Sequence, residues 1–267
     1  MKFLRFFVEK PSSLRDFLKE KLEFSGRVIK KIVDRGWVFV NEERILKANF
    51  QLRIGDKIEV IFLELDSSYK VLYEDDYILA VDKPPFVLTN ESPWSLEAIL
   101  NRNGKRVRAI HRLDLETTGV LLFAKDDNIF GVFKELFRKR LLNKVYKVIA
   151  EGSIRESSFK VSLPVDGKEA ISLFRVIERS KIATFLEVRI LTGRKHQIRI
   201  HLSKIGHPVV GEKLYKRGII REEVLRKIPR IMIHCEEISF EHPFLGKFVS
   251  IFSSLPGDFK EALKALF

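Results

Sequence analysis

Cysteine is almost missing from this chain of 267 residues: Cys235 stands alone, so no disulfide can close within it and no Cys-x-x-Cys metal knuckle is present. The six histidines, at 111, 196, 201, 207, 234 and 242, do not supply one either. His196 and His201 are five residues apart, which sets them on different faces of a helix and on opposite faces of a strand, so structural roles are expected and no metal. No apolar run approaches the ~18 residues that a spanning helix needs, and Met1 to Lys10 mixes charges into its short apolar stretch, unlike a signal peptide. A soluble cytoplasmic protein without a membrane partner is expected. No internal repeat, low-complexity tract or glycine-rich nucleotide loop appears.

What the chain has in excess is positive charge. Lys and Arg number 49 against 36 Asp and Glu, a formal net charge of +13. With 45% hydrophobic and 32% charged residues the composition is globular, and the length suffices for one large domain and a small one. A surplus of this size points to a polyanion, nucleic acid first.

The first sixty residues read as a compact module. Ser12-Ser13 can cap a helix in which Leu14, Phe17, Leu18 and Leu22 share a face. A second helix follows Ser25-Gly26, with Val28, Ile29, Ile32 and Val33 on one side, and Gly36 ends it. Trp37 to Val40 reads as a strand, Asn41-Glu42 and Gly55-Asp56 as turns, and Ile58, Val60 and Phe62 alternate as a strand does. Arg15, Lys19, Lys21, Arg27, Lys30, Lys31 and Arg35 dot the two helices. A solvated face is the plain reading of such charges and an RNA-facing surface the sharper one.

Glu64 to Lys70 is polar and aperiodic and reads as a linker. Beyond it, Val71 to Tyr73 and Tyr77 to Val81 read as paired strands, and Asp82-Lys83-Pro84-Pro85 stops the second. From Asn128 an amphipathic helix places Ile129, Val132, Phe133, Leu136, Phe137 and Leu141 on a core stripe. Residues 145–150, 159–163 and 182–190 read as strands, and 196–205 as a helix. Strands and helices mixed without regular alternation predict an α+β fold on a mixed, mostly antiparallel sheet.

Two segments carry chemistry. His111-Arg112-Leu113-Asp114-Leu115-Glu116-Thr117-Thr118-Gly119 is a polar loop running into the apolar strand Val120 to Ala124. Such a loop is rigid at one end and free to meet a substrate at the other. Taken alone, Asp114 reads best as a turn-capping Asp. Leu191 to Leu202 carries Gly193-Arg194-Lys195-His196-Gln197-Ile198-Arg199-Ile200-His201, a glycine loop entering a basic helix whose first N–H groups suit a phosphate. Taken alone it reads equally well as a basic surface helix.

Together these two segments resemble the RluA-type family of RNA pseudouridine synthases. Asp82-Lys83-Pro84-Pro85, Lys144-Val145-Tyr146, Gly206 to Gly211, and Ile233-His234-Cys235 with Phe240-Glu241-His242-Pro243 agree with that family. The resemblance spans about residues 70–255. The chain departs from it at Phe86 to Asn90, where a Gly and a Val-His-Pro are usual, and at Thr118, where Ser is usual. Ser13 to Leu18, Ser25-Gly26-Arg27, Val40-Asn41 and Gly55 to Val60 resemble the S-four RNA-binding domain, which usually has Asn-Gly where this chain has Asn41-Glu42. The implied organisation is an RNA-binding domain at 1–63, a linker at 64–70 and a catalytic domain at 71–267.

The resemblance makes Asp114 the catalytic carboxylate, Arg199 its basic partner, Tyr146 the ring that stacks on the target base, and Arg112 the side chain that fills the gap the base leaves. His111, Lys83, Arg194, His196 and Gln197 are expected to contact substrate, and Arg15, Arg27, Lys30 and Lys31 to meet RNA from the small domain. The reaction breaks the bond between uracil and ribose, turns the ring and rejoins it through carbon. A carboxylate can serve as nucleophile at the sugar carbon or as base on its neighbour, and the residue types leave both routes open. No cofactor is needed. The resemblance also implies a monomer and favours large-subunit ribosomal RNA over transfer RNA. Two rivals are weaker. A binding protein without activity has no use for Asp114, Tyr146 and Arg199 together, and a glycosidase built on Asp114 and Glu116 would want two carboxylates across a sugar ring.

Overall fold

The apolar periodicity is realised in the computed structural model, which describes residues 2–34, 36–62, 69–91, 95–216 and 222–267. Two compact units divide the chain, Met1–Ser68 and Tyr69–Phe267. Residues 64–68 of the expected linker lie outside the described residues, and Lys70 already belongs to a strand.

In the first unit the order is β1 (Lys2–Phe7), β2 (Ser12–Ser13), α1 (Leu14–Leu22), α2 (Gly26–Asp34), β3 (Val38–Val40), β4 (Glu43–Arg44), β5 (Gln51–Leu52) and β6 (Lys57–Phe62). Ser13 caps α1 by accepting from the Asp16 amide at 3.1 Å. Leu14, Phe17, Leu18, Ile29, Ile32 and Val33 are buried with Trp37, Val38 and Val60. Burial of side chains of this size stabilises by about 1.5–3 kcal/mol each. The sheet runs β1-β6-β3-β4, antiparallel throughout. Asn41 and Glu42 both take positive φ, 49° and 69°, the geometry of a hairpin turn that matches strand twist. Asn41 also donates to Asp56 at 2.8 Å and accepts from the Lys57 amide at 2.9 Å, tying the two turns together.

The second unit runs β7 (Lys70–Glu74), β8 (Ile78–Lys83), α3 (Leu96–Arg102), β9 (Arg108–Ala109), β10 (Thr118–Ala124), α4 (Asp127–Arg138), β11 (Asn143–Glu151), β12 (Ser158–Val161), β13 (Ser172–Arg179), β14 (Ala183–Ile190), α5 (Gln197–Lys204), α6 (Glu223–Arg226), β15 (Ile233–Glu241), β16 (Phe248–Phe252) and α7 (Gly257–Leu266). Its sheet has the order β12-β13-β14-β11-β15-β10-β8-β7, with β9 beside β10 and β16 beside β15. The β10–β15 pair is parallel and the other pairings antiparallel. The mixed α+β architecture is therefore as expected.

Strand β10 is buried along its whole length. Its entry needs glycine: Gly119 has φ 108°, and a Cβ there would lie 2.1 Å from the Cys235 carbonyl oxygen. The α4 stripe is narrower than its spacing predicts. Ile129 and Phe133 are buried, the latter edge-on to Phe240 at 5.4 Å, but Val132 is exposed and Leu141 lies exposed beyond the helix end. Helix α7, which the apolar spacing did not reveal, buries Phe259, Ala262 and Leu266 against Ile149, Phe185, Val210 and Met232.

Candidate active site

A cleft of about 310 Å³ collects residues from both chemical segments: His111 to Asp114, Thr117, Tyr146 and Gly193 to Arg199. The loop before β10 brings Asp114, β11 brings Tyr146, and the loop into α5 brings the cations.

The Asp114 loop is tied down almost atom by atom. The Leu113 carbonyl accepts from the Thr89 hydroxyl and the Leu113 amide donates back to it, both at 3.1 Å. The Asp114 carbonyl accepts from the Thr117 amide at 3.1 Å. The Leu115 carbonyl accepts from the Phe86 amide at 2.7 Å and from Lys83 Nζ at 3.2 Å. The Glu116 carbonyl accepts from Arg230 Nη1 at 3.1 Å. A reacting group needs such support, because an error of about 1 Å can cost on the order of a hundredfold in rate.

The Asp114 carboxylate meets one basic group on each oxygen. His196 Nε2 lies 3.6 Å from Oδ1 and Arg199 Nη1 lies 3.6 Å from Oδ2. Both distances exceed a hydrogen bond, so the contacts aim the carboxylate without consuming its lone pairs. The firmer partner of Arg199 is Glu212, which the residue pattern did not reveal. Nε and Nη2 of Arg199 make a bidentate pair with Glu212 at 2.6 and 2.8 Å. Glu212 is fully buried and also accepts from the Leu214 and Tyr215 amides at 2.7 and 3.2 Å. Burial pushes the Glu212 carboxyl upward, but Arg199 and the two amides outweigh it and hold it below the usual range. The turn that Glu212 fixes presents Tyr215, whose hydroxyl lies 2.7 Å from His196 Nδ1 and whose ring lies 5.3 Å from the Arg199 guanidinium. The one available signal was position: Glu212 directly follows the Gly206–Gly211 stretch.

Tyr146 sits at a bulge, where the register of β11 against β15 shifts between Val145 and Tyr146. Bulges of this kind re-aim a side chain. The ring lines the cleft, and burial, with the neighbouring Cys235, raises the hydroxyl well above its ordinary range. Burial likewise pushes the Cys235 thiol up to about 12.

Asp114, Tyr146 and Arg199 line one cleft. Arg112, Arg194 and His196 also line it. Arg112 is half exposed and lies 3.6 Å from Glu91; Arg194 donates to the Glu169 carbonyl at 2.9 Å. His196 takes the left-handed conformation with φ 56°, so α5 starts one residue later than its spacing predicts. His111 lines the cleft, stacks on Phe137 at 5.3 Å and accepts the Leu122 amide on Nε2 at 3.1 Å. Burial drives its pKa down to about 3, so the ring is neutral, as its acceptor role demands.

Two of the residues expected to contact substrate, Lys83 and Gln197, direct their polar atoms into the protein, although Gln197 also lines the cleft. Lys83 is wholly buried and spends its ammonium on the carbonyls of Pro84, Val87 and Leu115, at 2.9, 2.8 and 3.2 Å. It holds the Asp114 loop through the Leu115 carbonyl; burial lowers its pKa to about 7. Gln197 is also spent inward. Its oxygen accepts from the Thr192 hydroxyl and the Arg194 amide, and its nitrogen donates to the Ile171 carbonyl and the Ser172 hydroxyl. That exhausts what an amide side chain offers, so Gln197 shapes the loop carrying Arg194 and His196. In the small unit, Arg15, Arg27 and Lys30 are exposed, with Lys30 paired to Asp34 at 2.9 Å. The side chains of Lys31 and Arg35 lie outside the described residues.

Residues 77–204 match the family model described as RNA pseudouridylate synthase. An RNA pseudouridine synthase of Aquifex aeolicus (strain VF5) is 30% identical, the match covering 89% of this chain and 88% of the relative. The ribosomal large subunit pseudouridine synthase C of Buchnera aphidicola subsp. Schizaphis graminum is 29% identical over 94% of this chain and 92% of its own. Human RNA Pseudouridylate Synthase Domain Containing 4 shares the fold, with a TM-score of 0.64 at 22% identity over 74% of this chain and 92% of that one. The chain belongs to the RNA pseudouridine synthases of the RluA type. It is thus an isomerase that moves uracil from a nitrogen to a carbon linkage. Among the described residues no helix is long and apolar enough to cross a membrane.

Proposed function

We propose that the chain isomerises specific uridines of structured RNA, large-subunit ribosomal RNA before transfer RNA, with Asp114 as the reacting carboxylate. The observation that carries this reading is a carboxylate aimed into a cleft by Arg199 and His196, beside an aromatic ring re-aimed by a bulge. Extruding the target base costs a few kcal/mol. Tyr146 offsets this by stacking on the base, and the half-exposed Arg112 is long enough to enter the vacated stack. Asp114 then acts on the sugar, as nucleophile at the carbon bearing the base or as base on its neighbour. Uracil turns within the cleft and rejoins through carbon. Its carbon loses a proton and its nitrogen gains one, so the reaction needs no net proton and no redox partner.

The ribosomal preference is supported by the Buchnera relative, named for the large ribosomal subunit, whose match spans nearly the whole chain. The small unit, with Arg15 and Arg27 exposed on its helices, is read as an S-four-like tether that raises the local concentration of a weakly bound RNA. A pseudouridine map of total RNA from cells lacking the gene, rescued with wild type or Asp114→Asn, tests the whole reading. Sites in large-subunit RNA should vanish and return with wild type alone. Full rescue by Asp114→Asn would overturn the role of that residue, and loss confined to transfer RNA would overturn the ribosomal preference.

A further inference from the structure

Arg230 is the largest fully buried side chain among the described residues, and the reaction as described leaves it unused. It lies between the Asp114 loop and the turn at Gly211-Glu212. On one side its Nη1 donates to the Glu116 carbonyl at 3.1 Å, two residues beyond Asp114. The next amide, of Ile231, donates to the Glu116 carboxylate at 2.8 Å. On the other side its carbonyl presses on Gly211, the neighbour of Glu212. Gly211 has φ 86°, and a Cβ there would lie 2.0 Å from the Arg230 oxygen. The Met232 amide extends this contact by donating to the Val210 carbonyl at 2.9 Å. The Arg230 guanidinium is itself fixed from α7. Nε and Nη2 form a bidentate pair with Asp258 at 2.6 and 2.9 Å, and Nη1 also donates to the Ile231 carbonyl at 2.9 Å.

A buried arginine with a carboxylate partner is a poor way to gain stability alone, since an apolar pair of similar volume serves as well or better. What the pair gives is fixed direction: a planar, bidentate fork holds its remaining N–H groups at set angles. We propose that Arg230, oriented by Asp258, is a positioning residue that sets the Asp114 loop against the Glu212 turn. This rests on the reading of Asp114 as the reacting carboxylate. Asp258 also sits in the first turn of α7, where the helix dipole favours a negative charge.

The test uses the full chain and total RNA from cells lacking the gene, followed under single turnover at the most responsive uridine. Asp258→Asn should lower the rate at saturating enzyme by about ten- to a hundredfold, with the half-saturating enzyme concentration changed less than about twofold. Asp258→Glu keeps the charge but displaces it by one carbon, so it is the variant to use if Asp258→Asn does not fold, and it should recover only part of the rate. Phe259→Leu, which loosens α7 without touching the pair, should lower the melting temperature and leave the rate of the folded enzyme intact. Wild-type rates in both Asp258 variants, or a loss in Phe259→Leu equal to theirs, would overturn the positioning role. Asp114→Asn run in parallel separates the two ideas. If it is inactive, such rates defeat the Arg230 inference alone; if it is active, the assignment of Asp114 itself fails.

Discussion

The basic residues singled out in the two units are placed in opposite ways. In the small unit Arg15, Arg27 and Lys30 stand exposed on short helices, and the Lys30–Asp34 pair is open to water on both sides. Exposed pairs of this kind contribute about 0–1 kcal/mol. In the large unit Lys83, Arg199 and Arg230 are drawn inward onto carbonyls and carboxylates. Outward charges attract a polyanion without fixing its position, and inward ones fix positions without attracting anything. The distinction predicts which substitutions will change affinity and which will change rate.

The sharpest test lies at Glu212. Glu212→Gln keeps the shape and removes the charge that orients Arg199. Breaking a buried pair from one side costs about 3–5 kcal/mol, and the rate at saturating RNA should fall by about a hundredfold with half-saturation nearly unchanged. Single-turnover kinetics with a thermal melt would show both. A loss of affinity in place of rate would mean that Arg199 serves RNA binding, and the contrast between inward and outward charge would break.

His111 extends the contrast to pH. Its folded pKa, about 3, lies below the unfolded value of about 6.5 because burial opposes the charged form. Between these values the unfolded chain binds the proton and the folded one does not, so stability rises with pH across the window and is lost as acid is added. The steepest slope for one group is about 1.4 kcal/mol per pH unit. Denaturation midpoints should fall from about pH 6.5 downward, and His111→Asn, which keeps an acceptor near the Leu122 amide but cannot titrate, should fall less. Equal slopes in both proteins would place the acid sensitivity elsewhere.

The outward charges are expected to act more gently. Replacing Arg15, Arg27 and Lys30 by Ala should weaken RNA binding about five- to tenfold near 0.15 M salt and lower the salt slope by about two to three. Lys30 should contribute least, since Asp34 already holds it. The rate at saturation should not change. A fall in that rate would show that the small unit acts on the chemistry and not only on encounter.

Residue order made part of this legible. Asp114 and Arg199 lie 85 positions apart, yet each sits in a run specific enough to be read as a pair, and the cleft does unite them with Tyr146. Burial along β10 follows from its unbroken apolar run. The supports escaped notice for a physical reason. Arg230 with Asp258, Arg230 with Glu116 and Arg199 with Glu212 are contacts between segments that share no periodicity, and in a basic protein any one cation reads as surface. Lys83 shows this most clearly: residue order marks it only as the end of a strand before two prolines, and nothing in that order shows the three carbonyls that converge on it in the interior. Strands β13 and β15 were likewise hidden, their apolar residues interrupted by charges such as Arg175, Glu236 and Glu237.

The gentlest test concerns the turn at Asn41-Glu42, where the small unit departs from the pattern it resembles. Both residues are left-handed, a conformation that costs a residue with a Cβ about 1–2 kcal/mol and glycine almost nothing. Asn41 recovers part of this through its bonds to Asp56 and Lys57. Glu42 is exposed and reaches neither. Glu42→Gly should therefore stabilise the small unit, by about 0.5–1 kcal/mol once the greater freedom of glycine in the unfolded chain is counted. Hydrogen exchange of the β3 and β6 amides would register the gain without requiring the large unit to unfold. Faster exchange would mean that the Glu42 side chain stabilises the turn in a way that outweighs its backbone, and the outward-facing charges of this unit would then not all be free for RNA.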